Sequence, residues 1–165
     1  MAVQNPINYW GLNATDPLSW PPDGLPPAKD FERKCRSIPI VGQLLAYRME
    51  QHRLRQIAGR FRAQVRQRPP TDPKAWGDDP KRQQFAAFLA DVIRDAGGWP
   101  NDHFIPSDPF SILCWEHNTG MEYILVQLAV EEKIGREIQS EQFYRISNMS
   151  FGEAVDFLRA FIVTG

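Results

Sequence analysis

Fourteen prolines fall unevenly along this chain of 165 residues, and they limit where regular structure can form. Proline has no backbone N–H and a fixed φ, so helix interiors and central strands exclude it. Six prolines lie in the first thirty residues, at 6, 17, 21, 22, 26 and 27. The run Trp20-Pro-Pro-Asp-Gly-Leu-Pro-Pro27 forbids a helix or a central strand there. Large aromatics such as Tyr9, Trp10 and Trp20 cover surfaces when they find one, so residues 1–37 are expected to form an extended arm packed on the body, with a partner as the alternative surface.

From residue 38 to 68 the character changes. Leu44, Tyr47, Leu54, Ile57, Ala58, Phe61 and Val65 recur mostly at three- and four-residue spacing, the signature of one helical face. Arg48, Arg53, Arg55, Arg60, Arg62, Arg66 and Arg68 lie between them. Residues 33–68 hold ten Lys/Arg and one acid, a local charge of +9. Pro39 suits a helix start and Pro69-Pro70 a stop, so 38–68 is predicted to be a long basic amphipathic helix. Gly59 weakens its middle by about 1 kcal/mol relative to Ala. Residues 69–80, PPTDPKAWGDDP within that range, read as a linker.

Residues 81–165 carry seven Lys/Arg and twelve Asp/Glu, so the chain is near neutral, at −1, only because a basic half offsets an acidic one. Phe85, Phe88, Leu89, Val92 and Ile93 predict an amphipathic helix ended by Gly97-Gly98. Trp99 to Asn118, with three prolines, is expected to be a long structured loop whose Phe104, Ile105, Phe110, Ile112, Leu113 and Trp115 cover the helices. A second helix is expected from about Met121 to Ile134, stopped by Gly135, with Met121, Ile124, Leu125, Leu128 and Ala129 inward. Ser140 to Tyr144 reads as a short third helix. Ser150-Phe-Gly-Glu153 is a capping box for a last helix that buries Ala154, Val155, Leu158, Phe161 and Ile162. No stretch alternates as a strand would, so the fold class is all-α.

The run Gly120-Met-Glu-Tyr-Ile-Leu-Val-Gln-Leu-Ala-Val-Glu-Glu-Lys-Ile-Gly-Arg-Glu-Ile138 resembles the second helix of acyl carrier proteins and the loop after it. In that family the helix opens with Asp-Ser-Leu and closes with an acidic triplet, an aromatic and a loop ending in Glu-Ile. Here Thr119-Gly120-Met121 stands at the opening, and Glu131-Glu132-Lys133-Ile134 and Glu137-Ile138 at the close. Residues 140–146 and 151–158 are similar to the family's short third helix and fourth helix. The resemblance spans about 81–165, half the chain, and implies a four-helix bundle to which the arm and basic helix are added.

One departure from the family has a chemical consequence. Its serine carries phosphopantetheine, but Gly120 occupies the matching position and offers no hydroxyl. No cofactor is therefore expected, and the resemblance implies a non-catalytic protein-interaction or regulatory module. Its partner-binding residues would be Met121, Glu122, Glu131 and Glu132, on the helix that the family uses for recognition. An alternative is an adaptor that binds an anionic membrane surface or nucleic acid through Arg53, Arg55, Arg60 and Arg62.

Other chemistry is thinly represented. Cys114 and His117 sit close in sequence, but a metal site needs about four ligands, and only His103 with Asp102 or Asp108 would join them. A Cys–His nucleophile needs an orienting group and an oxyanion donor, so no enzyme is expected. Two cysteines are too few for a disulfide framework. MAVQNPINYWG has no basic start followed by an apolar run, and no stretch approaches the ~18 apolar residues of a membrane span, so a cytoplasmic protein is expected.

Overall fold

The computed structural model describes residues 13–20, 33–34, 37–114 and 121–163, without the side chains of 121–123, 162 and 163. Among the described residues six α-helices follow one another and no strand is present. They are α1 Val41–Gln67, α2 Pro80–Gly97, α3 Phe110–Leu113, α4 Met121–Ile134, α5 Ser140–Ile146 and α6 Phe151–Val163. A 3-10 turn, Pro73–Trp76, interrupts the expected linker. None of the helices is long and apolar enough to cross a membrane. Tyr9, Trp10, Trp115, His117, Thr119 and Gly120 lie outside the described residues.

Helix α2 lies at the centre, packed on α4, on α6 and on the 3-10 turn, while α5 packs on α6. Its Phe85, Leu89 and Ile93 are buried, with Phe88 and Val92 at the margin, so the expected face is the one that packs. The Asp79 carboxylate caps its start by accepting from the Lys81 N–H, with Pro80 in the first turn. Gly98 ends it in the left-handed region at φ 57°, donating its N–H to the Arg94 carbonyl. Arg82 pairs with Asp156 at 2.6 Å and Arg159 with Asp79 at 2.5 Å, so two ion pairs tie α2 to α6.

At the start of α6 the predicted capping box is present. Glu153 Oε2 accepts from the Ser150 N–H and hydroxyl, and the Glu153 N–H returns to Ser150 Oγ. The next two N–H groups, of Phe151 and Gly152, donate to the carbonyls of Asp108 and Pro106. Gly152 lies so near Pro106 that a Cβ would stand 3.1 Å from the proline Cβ. The segment 104–113 is thus part of the core, with Phe104, Phe110, Ile112 and Leu113 fully buried, and it contains the short helix α3 where a continuous loop was expected.

The basic helix forms, but it starts at Val41 rather than 38, behind Ile40 at φ 58°. Its second half docks on the body: Ile57, Phe61 and Val65 join the core, and Trp20 of the arm meets the Phe61 ring edge-on at 5.6 Å. Leu44 and Tyr47, expected on the packed face, are exposed instead. In the first turns the buried positions are Gly42 and Ala46, a face too small to show in a pattern of large apolar residues. The linker is also integrated, because Trp76 is buried with its ring edge-on to Phe151 at 5.0 Å.

One buried ion pair joins the arm, the end of α1 and the 104–113 segment. Arg68, the residue after α1, grips Asp108 in a fork, Nη1 to Oδ2 at 2.5 Å and Nη2 to Oδ1 at 2.9 Å. Both side chains are within 1% of full burial. Asp108 also accepts the N–H groups of Leu18 and Ile105, both at 2.9 Å. Arg68 spends its remaining donors on the carbonyls of Ala14, Asp16 and His103. The buried charges are thereby satisfied on all sides, as such pairs must be. The arm is held at 13–18 by these bonds, by Gln64 donating to the Asn13 and Asp16 carbonyls, and by the burial of Leu18.

Candidate functional site

Helix α4 turns a different side inward than its sequence suggested. Val126 and Val130 are buried, whereas Ile124, Leu125 and Leu128 are 54, 46 and 54% exposed. The physical reason is the composition of the helix: Tyr123-Ile-Leu-Val and Leu128-Ala-Val are apolar on every side, so spacing alone does not fix the rotation. Packing selects the β-branched pair at i and i+4 against α2, and Lys133 completes that contact with its ammonium 5.1 Å from the Phe88 ring centre. The three larger aliphatics are left on the solvent side. An exposed apolar cluster on a helix is a mark of an interaction surface.

The two acids at the end of α4 have different roles. Glu131 Oε1 accepts from Gln127 Nε2 and from the Ile138 N–H, both at 2.9 Å. Its carboxylate therefore holds the turn through Gly135, which stops the helix at φ 66° as expected. Glu132, one residue on, is exposed. Ile124, Leu125, Leu128, Glu132 and Lys133 are exposed on this one helix. Met121 and Glu122 open the same helix, although their side chains lie outside the description.

The four arginines of the anionic-surface alternative do not form one surface. At about 100° per residue, Arg53 and Arg60 lie on one side of α1, and Arg55 and Arg62 some 160° away on the other. Arg62 donates to the Gly97 carbonyl at 3.0 Å and so helps to dock the helix. This split weighs against simultaneous contact with a flat anionic partner.

Of the residues considered for metal or nucleophilic chemistry, His117 lies outside the described residues. Asp108 is committed to Arg68, and among the described residues no group of three or more His, Cys, Asp or Glu converges. Burial pushes the Cys114 thiol well up from its ordinary pKa, which disfavours the thiolate. His103 lines a cleft of about 180 Å³ with Thr71, Trp76, Gln83 and Asp102. Its Nδ1 donates to the Arg68 carbonyl at 2.7 Å, and its Nε2 is 3.9 Å from Asp102, too far for a hydrogen bond.

Sequence reasoning missed the Arg68–Asp108 pair and the exposed α4 stripe. Two cues bear on the first: an arginine ends a helix directly before Pro69-Pro70, and an aspartate sits inside the apolar run Phe104-Ile-Pro-Ser-Asp-Pro-Phe-Ser-Ile-Leu113. No protein-family model, no curated protein and no solved structure matches the chain.

Proposed function

We propose that this chain is a non-catalytic, acyl-carrier-like protein that acts as a protein-interaction or regulatory module through α4. The observation that supports this most is the trio Ile124, Leu125 and Leu128, large aliphatics left half-exposed on one side of a well-packed helix. Their place matters as well. Helix α4 follows a long helix and a connecting segment and precedes a short and a final helix, the order of elements in the carrier family. Glu132 adds an exposed acid to the aliphatic stripe, and Glu131 serves the turn behind it. Gly120 has no nucleophile, so the attachment chemistry of the family is absent at that position.

The test is intact mass after incubation with coenzyme A and a broad-specificity phosphopantetheinyl transferase, with a Gly120→Ser variant in parallel. The expected outcome is a phosphopantetheine-sized gain in the variant and none in the native chain. A gain in the native chain refutes the non-carrier reading. No gain in a folded Gly120→Ser variant counts against a carrier-like recognition surface.

A further inference from the structure

Among the described residues, the exposed apolar stretches of α1 and α4 carry opposite charge in the same register. On α1, Val41, Leu44 and Arg48 stand at i, i+3 and i+7, all exposed, with Leu45 beside them. On α4, Leu125, Leu128 and Glu132 stand at i, i+3 and i+7, again all exposed, with Ile124 beside them. Residues so spaced share one side of a helix. In each stripe the charge lies four residues beyond the leucine, about 6 Å along the axis.

The geometry points to a second copy of this chain as the occupant of α4, with the first turns of α1 from one copy laid on α4 of the other. In a parallel pairing Val41 meets Leu125, Leu44 meets Leu128, and Arg48 meets Glu132 in successive layers. An antiparallel pairing sets the apolar layers together but carries Arg48 away from Glu132, so charge selects the direction. The wider charge pattern agrees, since residues 33–68 carry +9 in a chain whose total is −1. A two-fold arrangement makes the contact twice and closes, which removes both exposed stripes from water. This inference rests on the reading of α4 as a docking surface and names its partner.

Sedimentation velocity of the full chain over a wide concentration range tests it. The expected result is a monomer–dimer equilibrium. Leu44→Lys and Leu128→Lys should each weaken it by about tenfold or more, since both lysines fall in the apolar layers. Circular dichroism checks that these surface variants remain folded. Arg48→Glu and Glu132→Arg should each weaken the dimer several-fold, and the double exchange should restore it, a rescue that general destabilisation does not produce. A monomer at every concentration overturns the inference. So does a dimer indifferent to Leu44→Lys, or one weakened by the α4 changes alone, because the copies then meet by another surface. The phosphopantetheine test does not depend on self-association, so a monomer that still accepts the group at Gly120→Ser refutes this pairing and leaves the carrier-like reading standing.

Discussion

Replacing Asp108 by Ala removes four hydrogen bonds from one carboxylate. Oδ1 takes the Leu18 N–H and Arg68 Nη2, and Oδ2 takes the Ile105 N–H and Arg68 Nη1. The substitution leaves the Arg68 guanidinium buried without its counter-charge, which costs about 3–5 kcal/mol. Against a total stability of about 5–15 kcal/mol this is a large fraction. At roughly 2–4 °C per kcal/mol for a chain of this size, the melting temperature should fall by about 6–20 °C. Asp156→Ala is the control. It breaks the Arg82 pair, in which the side chains are 22 and 55% exposed, and it should cost only about 0.2–1 kcal/mol. Asp108→Asn should be nearly as harmful as Asp108→Ala. Whichever way the amide is turned, its NH₂ group faces one backbone N–H and one arginine nitrogen, all donors. Thermal and urea unfolding followed by circular dichroism measure the loss, and hydrogen exchange reads protection at the Leu18 and Ile105 amides. A melting temperature lowered no further by Asp108→Ala than by Asp156→Ala would refute the reasoning.

Two further predictions concern backbone contacts and pH. A Cβ at Gly97 would stand 2.7 Å from Trp99 Nε1, whose N–H donates to the Leu113 carbonyl, so Gly97→Ala should cost about 1–3 kcal/mol and alter the near-ultraviolet dichroism. Gly59→Ala, at a helical site with open space, should instead stabilise by about 0.5–1 kcal/mol, and equal signs in the melts would contradict the packing. The backbone N–H and the hydroxyl of Ser150 hold the Glu153 carboxyl below its ordinary pKa. A carboxyl depressed on folding stabilises above its unfolded pKa, about 4.3, and that contribution is lost as pH falls through the folded value. Melting temperatures of the native chain and Glu153→Gln should therefore differ most near neutrality and converge in acid; a constant difference would remove Glu153 from the acid response.

What was legible in the sequence was local. The ends of α2 and α4 follow from Gly98 and Gly135 in left-handed conformations, and the start of α6 from the Ser150–Glu153 box. The packed side of α2 was legible because Phe85, Leu89 and Ile93 stand out against Lys81, Gln84, Asp91 and Asp95. That contrast is missing from the middle of α4, where Ile124, Leu125, Val126, Leu128 and Val130 leave a polar residue only at Gln127, so spacing points Ile124, Leu125 and Leu128 to the core although they are exposed. In α1 it misled: the large residues Leu44 and Tyr47 drew the predicted face away from Gly42 and Ala46. Arg68 and Asp108 are forty residues apart, and nothing local pairs them. The same holds for Trp76 and Phe151, whose contact turned an expected linker into part of the core.

These long-range contacts bear on where the acidic half of the chain ends as a structural unit. Composition places a boundary at residue 81, but the core crosses it: Leu18, Ile57, Phe61, Val65 and Trp76 share one buried cluster with Leu89, Phe104 and Phe151. The Asp108 carboxylate, on the acidic side, is neutralised by Arg68 on the basic side and receives its third donor residue, Leu18, from the arm. A chain cut at residue 81 would therefore expose apolar area and leave a buried carboxylate without its counter-ion, two independent penalties. Residues 13–18 of the arm and the second half of α1 are accordingly part of one body with α2, the helix on which α4 packs. The side chains they leave exposed, Val41, Leu44 and Leu45 of α1 and Ile124, Leu125 and Leu128 of α4, are where surface chemistry can vary without disturbing the core.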